Sequence, residues 1–515
     1  MSKKSIATIF YSIAIVVMLV LFSPSIKANE YSNIAKGVDI GWLTQLEKQG
    51  ITWINDYGVQ KDPLEILKEF GVDSVRLRVF VNPPTDGIWY KNGEKVELGE
   101  CDKNSVVALA KRARDMGFKI MIDFHYSDHF ADPGTQDVPE AWKDHSWQQL
   151  KDDIYNHTYD VMSALANEGI YPEWVQVGNE LNTGMLWPEG YIWHNGRDYA
   201  DTTKLSQFIN SGYDAIKSIS PNSKVIVHVS TGVNNVAYRK IFDSLTANNT
   251  NYDIIGMTYY PYWDGVNNYQ DNIKSLEYNL NDMATRYNKE VMICEVGGKA
   301  YESADSYNLV KTVMDKVAAV PNSKGTGVFY WEACTAPTVI AGEYPLGACI
   351  EVAPKVLKFN DALNGFKEQP QFPNTSTKYK IVNRLSGKTL NVKNGSNYDG
   401  AWLEQQDYYG WDSQKWYVSE VDGHYIIRNV KSNKVLDILE RSQYDGAYCV
   451  QWQNNYGWNQ EWKFEKTWDD YYKIINRNSG KLLDVNASSY DNGAQVIQWS
   501  DRDGWNQEWL FIEVE

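Results

Sequence analysis

Eight short apolar runs, each followed by a stretch with helical periodicity, occupy the first two thirds of the chain. They are KGVDI (36–40), VDSVRLRVF (72–80), FKIMIDF (118–124), WVQVG (174–178), KVIVHV (224–229), DIIGMTY (253–259), EVMICE (290–295) and GVFYW (327–331). Runs of this length, rich in Val, Ile, Phe and Tyr, predict strands buried on both faces. Between them, segments such as SVVALAKRARDMG (105–117) place Val106, Leu109, Ala110 and Ala113 at helical spacing ahead of a glycine stop. Eight strand–helix units between Lys36 and Phe366 predict an α/β chain closed into a (β/α)8 barrel.

The pattern then changes. YKIVNRLSGKTLNV (379–392), YIIRNVKSNKVLDI (425–438) and YKIINRNSGKLLDV (472–485) begin at steps of 46 and 47 residues, and each is followed by Tyr-Asp and later by GWDSQKW, GWNQEW or GWNQEW. Short strands separated by Ser-Gly, Asp-Gly and Asn-Gly turns, three times over, predict an all-β domain with approximate threefold symmetry. FKEQPQFPNTSTK (366–378), with two prolines and no period, reads as a short extended linker. The first residues carry two lysines, an apolar run from Ile6 to Phe22 and small residues up to Ala28, which predicts a cleaved secretory signal. The expected division is 1–28 signal, 29–366 barrel, 367–378 linker and 379–515 repeat domain, in a secreted, extracellular protein with no membrane anchor after cleavage.

A formal charge of −16 repels a phosphate backbone and argues against nucleic acid, so a neutral ligand is expected. Five cysteines make no disulfide framework. Cys334 and Cys349 could clip one loop or stay as free buried thiols. No heptad or exposed self-pairing strand is evident, and a monomer is expected.

In a (β/α)8 barrel, polar and aromatic residues at the C-terminal strand ends line the active face. By that rule the candidates are Asp39, Arg76, Arg78, His125, Asn179, Glu180, His228, Tyr259, Glu295 and Trp331. Two are paired carboxyls: Asn179-Glu180 ends the fourth strand and Glu295 the seventh. Retaining glycoside hydrolysis needs a carboxylic acid to protonate the leaving oxygen and a carboxylate to attack the anomeric carbon, ~5–5.5 Å apart. Glu332 also follows a strand, but alternation turns it away from the face shared by Trp331. MIDFHYSDHFAD (121–132) sets His125 and His129 four apart, a zinc-like spacing on a helix. Because MIDF is a strand and Pro133-Gly134 ends the loop, the two histidines do not share a helical face, and sugar hydroxyls and ring faces account for the segment instead. No cofactor and no metal are called for. Trp142, Met185, Trp187 and Trp263 follow on neighbouring loops and either extend the cleft or pack.

GVDIGWL, VRLRVFVNP, MIDFHYSDHFADPGTQDVPEAW, VQVGNELNTGMLWPEG, IGMTYYPYW and FYWEA make residues 36–366 resemble the endo-β-1,4-galactanases of glycoside hydrolase family 53. The resemblance implies Glu180 as general acid/base, Glu295 as nucleophile and Asn179 on the sugar's 2-hydroxyl. It further implies that Asp39, Arg78, His125, Tyr259 and Trp331 shape the sugar subsite, with Arg78 keeping the nucleophile charged. Repulsion from ionised Glu295 would hold the proton on Glu180. The short EVGGKAYESADSYNLVKTV segment departs from relatives that carry a long calcium-binding loop there, so calcium is doubtful. Substrates of the same clan, mannan, cellulose or xylan, are the alternatives, as is a lectin with an inactive barrel.

The Gln-x-Trp triplets ending at Trp416, Trp462 and Trp509 resemble ricin-B-like β-trefoil lectins, with those tryptophans read as core. The resemblance implies sugar pockets at Asp437, Trp452, Asn459 and Gln460, and at Asp484, Trp499, Asn506 and Gln507. The first repeat has Asn391, Gln406 and Ser413 in place of acid, ring and amide, and is expected to be degenerate. The implied partner is plant cell-wall β-1,4-galactan.

Overall fold

The computed structural model describes residues 31–514 except 56, 194–199, 267, 341–343, 368–373 and 468–470. The signal segment and half of the linker, 368–373, lie outside the described residues. Eight parallel strands close a barrel in sequential order: β1 (Ala35–Asp39), β2 (Ser74–Val79), β3 (Lys119–Phe124), β4 (Trp174–Val177), β5 (Lys224–Val229), β6 (Ile254–Tyr259), β7 (Glu290–Val296) and β8 (Gly325–Tyr330). All eight coincide with the apolar runs. One face of each strand packs on the surrounding helices, where Val291, Ile293 and Val296 join the main apolar core. The other face fills the barrel, where Met121, Trp174, Ile226, Ile254, Met292, Cys294 and Phe329 form a separate cluster.

Ordinary pleating would alternate these two faces. In β7 it does not, because the register with β6 skips from Ile293 to Glu295 and that with β8 is also irregular there. This β-bulge turns two consecutive side chains, Cys294 and Glu295, toward the barrel axis.

Among the described residues from Lys378 to Val514 the chain forms twelve strands of an all-β domain. The three Gln-x-Trp tryptophans are fully buried, and each indole Nε1 donates to a leucine carbonyl: Leu390 at 3.1 Å, Leu436 at 3.2 Å and Leu483 at 2.9 Å. A large apolar ring with its one polar group satisfied is what a small domain needs at its core. The same bond at one place in all three repeats makes the symmetry structural as well as sequential.

The two domains are packed together. Ala304 and Tyr307 of the barrel's last helix (Ser303–Ala318) share an apolar cluster with Val382, Tyr471, Leu510 and Ile512. Beside it, buried Lys380 pairs with Asp361, and Lys358 Nζ donates to the Tyr408 carbonyl at 2.8 Å. The five cysteines are free and buried, which decides between the two expectations for Cys334 and Cys349.

Candidate active site

The layer above the apolar barrel filling is built around one guanidinium. Arg76 is 1% exposed, and its Nη atoms reach Asp39 at 3.2 Å, Asp123 at 2.8 Å and Glu295 at 3.0 Å. It also donates to the side-chain oxygens of Gln176 at 3.1 Å and Asn179 at 3.0 Å. Three carboxyls around one cation cannot all be ionised in a buried site. Asp123 wins: although burial opposes its charge, Arg76 and His125 bring it down to about 2. Asp39 loses, since burial pushes it well above the carboxylate range despite Arg76. Burial raises Glu295 too, while Arg76 and the Tyr260 hydroxyl, which donates to Glu295 Oε2 at 3.1 Å, hold it back.

Glu180 stands at the same cavity without such support. Burial raises it well above its ordinary value, and the charge of Glu295 raises it further. Its carboxylate accepts from Thr258 Oγ1 at 3.1 Å, and Thr258 in turn meets His228 Nε2 at 2.7 Å. Burial lowers His228 well below its usual range, so this contact is with a neutral imidazole. Glu180 has φ 47° and ψ 58°, a left-handed conformation that a glutamate adopts only when its surroundings impose it. Gly178, two residues earlier, has φ +81°, and a Cβ there would sit 2.7 Å from Leu181 Cδ2. The turn that aims Glu180 therefore requires glycine at 178.

Glu180 and Glu295 line one cavity of about 510 Å³ at the C-terminal strand ends, together with His125, Asn179 and Trp331. Asn179 donates one amide N–H to the Ala131 carbonyl at 2.9 Å, leaving its second for a ligand. His125 is held between Asp123 at 2.9 Å and the Ala131 N–H at 3.0 Å. Trp331 is clamped by Trp42 and Tyr344, with ring centroids 5.0 and 4.7 Å away.

Three sequence expectations are corrected. Arg78 does not serve Glu295: it is paired with fully buried Glu332 and lies beneath the Trp42, Phe130 and Trp331 rings, so it supports the aromatic wall. Arg76, one pleat deeper, is the cation paired with Glu295. Tyr259 does not reach the cavity, because it points outward and bonds the Tyr269 carbonyl and Asn272 Oδ1; Tyr260 lines it instead. Asp39 is wholly buried beneath the cavity and acts through Arg76. Glu332 points away from the cavity and accepts from the Trp42 N–H at 3.2 Å. Of the loop side chains, Trp142 and Met185 are core, whereas exposed Trp263 lines the cavity.

Sequence reading also missed the Ile88–Lys91/Glu94–Glu97 hairpin, which brings Trp89 to the rim, stacked on His129 at 4.0 Å. Its alternation is too short to stand out between a barrel strand and the helix Lys103–Asp115. Among the described residues no group of three or more His, Cys, Asp or Glu side chains could hold a metal ion.

The family model of glycosyl hydrolase family 53 matches residues 35–408. The chain belongs to glycosyl hydrolase family 53. An endo-β-1,4-galactanase of Bacillus subtilis is 31% identical over 324 residues, 59% of this chain and 70% of that protein. An arabinogalactan endo-β-1,4-galactanase of Thermothelomyces thermophilus is 31% identical over 327 residues, 58% and 88% of the two chains. The solved family 53 catalytic domain of Ignisphaera aggregans superimposes with a TM-score of 0.56 at 26% identity, over 65% of this chain and 96% of that one. A ricin-type β-trefoil lectin model matches 368–452 and 458–515.

Beside the family 53 barrel, the trefoil brings each expected acid next to its amides. Asp437 accepts from Asn459 at 3.0 Å and Gln460 at 2.7 Å, with Trp452 37% exposed nearby in the same repeat. Asp484 is bonded likewise by Gln507 and Asn506, in the repeat that carries Trp499. Burial pushes both acids up to about 6. The first repeat differs from the expectation of simple loss. Asn391 donates to Glu404 Oε1 at 3.1 Å, so a carboxylate reappears on the strand across, beside a hollow of about 630 Å³ that Trp411 and Ser413 also line. Single-strand reading could not find it, because the pairing that puts Glu404 opposite Asn391 is tertiary.

Proposed function

We propose that this family 53 hydrolase is a secreted endo-β-1,4-galactanase that cuts the (arabino)galactan side chains of pectin with retention of configuration. The observation that carries the reading is the unequal support of two carboxyls at one cavity. Glu295, steadied by Arg76 and Tyr260, is the anionic nucleophile; Glu180, raised by burial and by Glu295, carries the proton. Glu180 protonates the leaving oxygen as Glu295 attacks the anomeric carbon. Glycosylation removes the charge on Glu295, Glu180 then acts as base on water, and the second displacement restores the configuration. The galactan assignment is supported by the named activities of relatives such as the Bacillus subtilis enzyme. Hydrolysis assayed on galactan, arabinogalactan, mannan, xylan and cellulose should release reducing sugar chiefly from the first two, and proton NMR of the first product should show the β-anomer. A preference for mannan would overturn the substrate; an α-anomer would overturn the mechanism.

The trefoil keeps the enzyme on carbohydrate through the Asp437 and Asp484 pockets, raising its local concentration at an insoluble target. An ionised acid accepts sugar hydroxyls, so binding is full above pH 6 and weakens as pH falls through about 6, by up to about tenfold per unit. Affinity electrophoresis in galactan gels between pH 5 and 8 checks this, and retardation independent of pH would contradict it.

A further inference from the structure

The trefoil does more than follow the barrel: the geometry points to it forming the far wall of the polysaccharide-binding cleft. A groove of about 650 Å³ lies between the two domains, within the roughly 300–1,000 Å³ that ligand sites occupy. Its barrel wall comes from the loops that directly follow β6 and β7, the strands that carry Thr258 and Glu295, and it therefore opens on the catalytic face. Its other wall is the Arg384–Gly387 turn with Tyr490 and Trp505 of the trefoil.

The groove and the catalytic cavity share a threshold. Trp263 lines the cavity, Tyr262 lines the groove, and their rings meet edge to face with centroids 4.5 Å apart. Beyond that threshold stand Tyr301 from the barrel and Tyr490 and Trp505 from the trefoil, 64%, 62% and 52% exposed. Exposed rings with polar edges, set among hydroxyl, amide and carboxyl groups, suit the alternating C–H faces and hydroxyls of a neutral sugar chain. Trp505 is held ready for this: the Arg384 guanidinium lies 4.6 Å from its ring centroid and is itself paired with Glu508. A chain threaded through an endo-acting site must leave it, and the Tyr262–Trp263 threshold leads into this groove.

This inference rests on the galactanase reading, and the repeats supply its control. Trp458 is the second-repeat counterpart of Trp505, with Arg477 at 4.7 Å from its ring in the place of Arg384, and it is not part of the groove. The test compares kcat/KM on polymeric β-1,4-galactan with that on β-1,4-galactotetraose, using the full chain. Trp505→Ala and Tyr301→Ala should each lower the polymer-to-tetraose ratio by about 3- to 10-fold, the loss of one stacked ring. Trp458→Ala should keep the wild-type ratio. Both Trp505 and Tyr301 are more than half exposed, so folding is not at stake, and Tyr301 belongs to no trefoil pocket. Ratios within twofold of wild type in both groove variants would overturn the proposal, as would an equal fall in Trp458→Ala. Wild-type protein that leaves galactan intact would overturn the underlying substrate reading, which is seen before any variant is compared.

Discussion

Glu295→Gln is expected to lower kcat on galactan by about 10⁴ or more, since it removes the carboxylate that Arg76 and Tyr260 hold for attack on the anomeric carbon. The amide is nearly isosteric: its oxygen can still accept from Arg76 and its NH2 can donate to the Tyr260 hydroxyl oxygen, so folding and polysaccharide binding should persist. Reducing-sugar release measures the loss, and gel retardation in galactan measures the retained binding. Glu180→Ala separates the second role. On galactan it should lose about 10²–10⁴ in kcat, the usual worth of proton transfer. On an aryl glycoside whose leaving group needs no proton, the glycosylation step should be far less affected. The alkaline limb of the pH–rate profile, set by loss of the proton that burial and Glu295 hold on Glu180, should vanish with it. Equal losses on both substrates would remove Glu180 from the acid role.

Arg76→Met is expected to lower stability by about 3–5 kcal/mol, because it leaves buried carboxylates without a counter-ion. The pH dependence distinguishes this from lost packing. In the wild type, Asp123 sits at about 2, below its unfolded value; that stability is present above pH 4 and lost only as pH falls toward 2. In the variant, only His125, His228 and the hydrogen bonds to Asp123 oppose burial; its pKa is expected to rise above the unfolded value, and stability is lost as pH climbs through it. The gap between the two proteins should therefore widen from pH 4 to pH 8 in urea titrations. A constant gap would mean that Arg76 only fills space.

Much of this was legible from the order of side chains. Eight apolar runs alternating with helices at regular intervals fit a closed parallel sheet, and Glu180 and Glu295, at the ends of two of its strands, bring carboxyls to its rim. The Gln-x-Trp spacing was equally plain, since one buried indole per repeat leaves a fixed period. What the order of residues could not convey was depth. Arg76 and Arg78 share a face, and only the stagger of neighbouring strands puts one beside Glu295 and the other beneath Trp331. Tyr259 and Tyr260 are adjacent and chemically identical, and only the pleat decides which meets the sugar. Glu404 entered through strand pairing, and the groove at Trp505 through the docking of two domains, neither of which leaves a local mark.

The bulge in β7 has a consequence for how relatives of this chain are compared. Val291, Ile293 and Val296 face the helices while Met292, Cys294 and Glu295 face the axis, so the reach of Glu295 is set by residue count as well as residue type. A homologue one residue shorter between those valines could keep every side chain that matters in an alignment and still present its glutamate to the wrong side of the sheet.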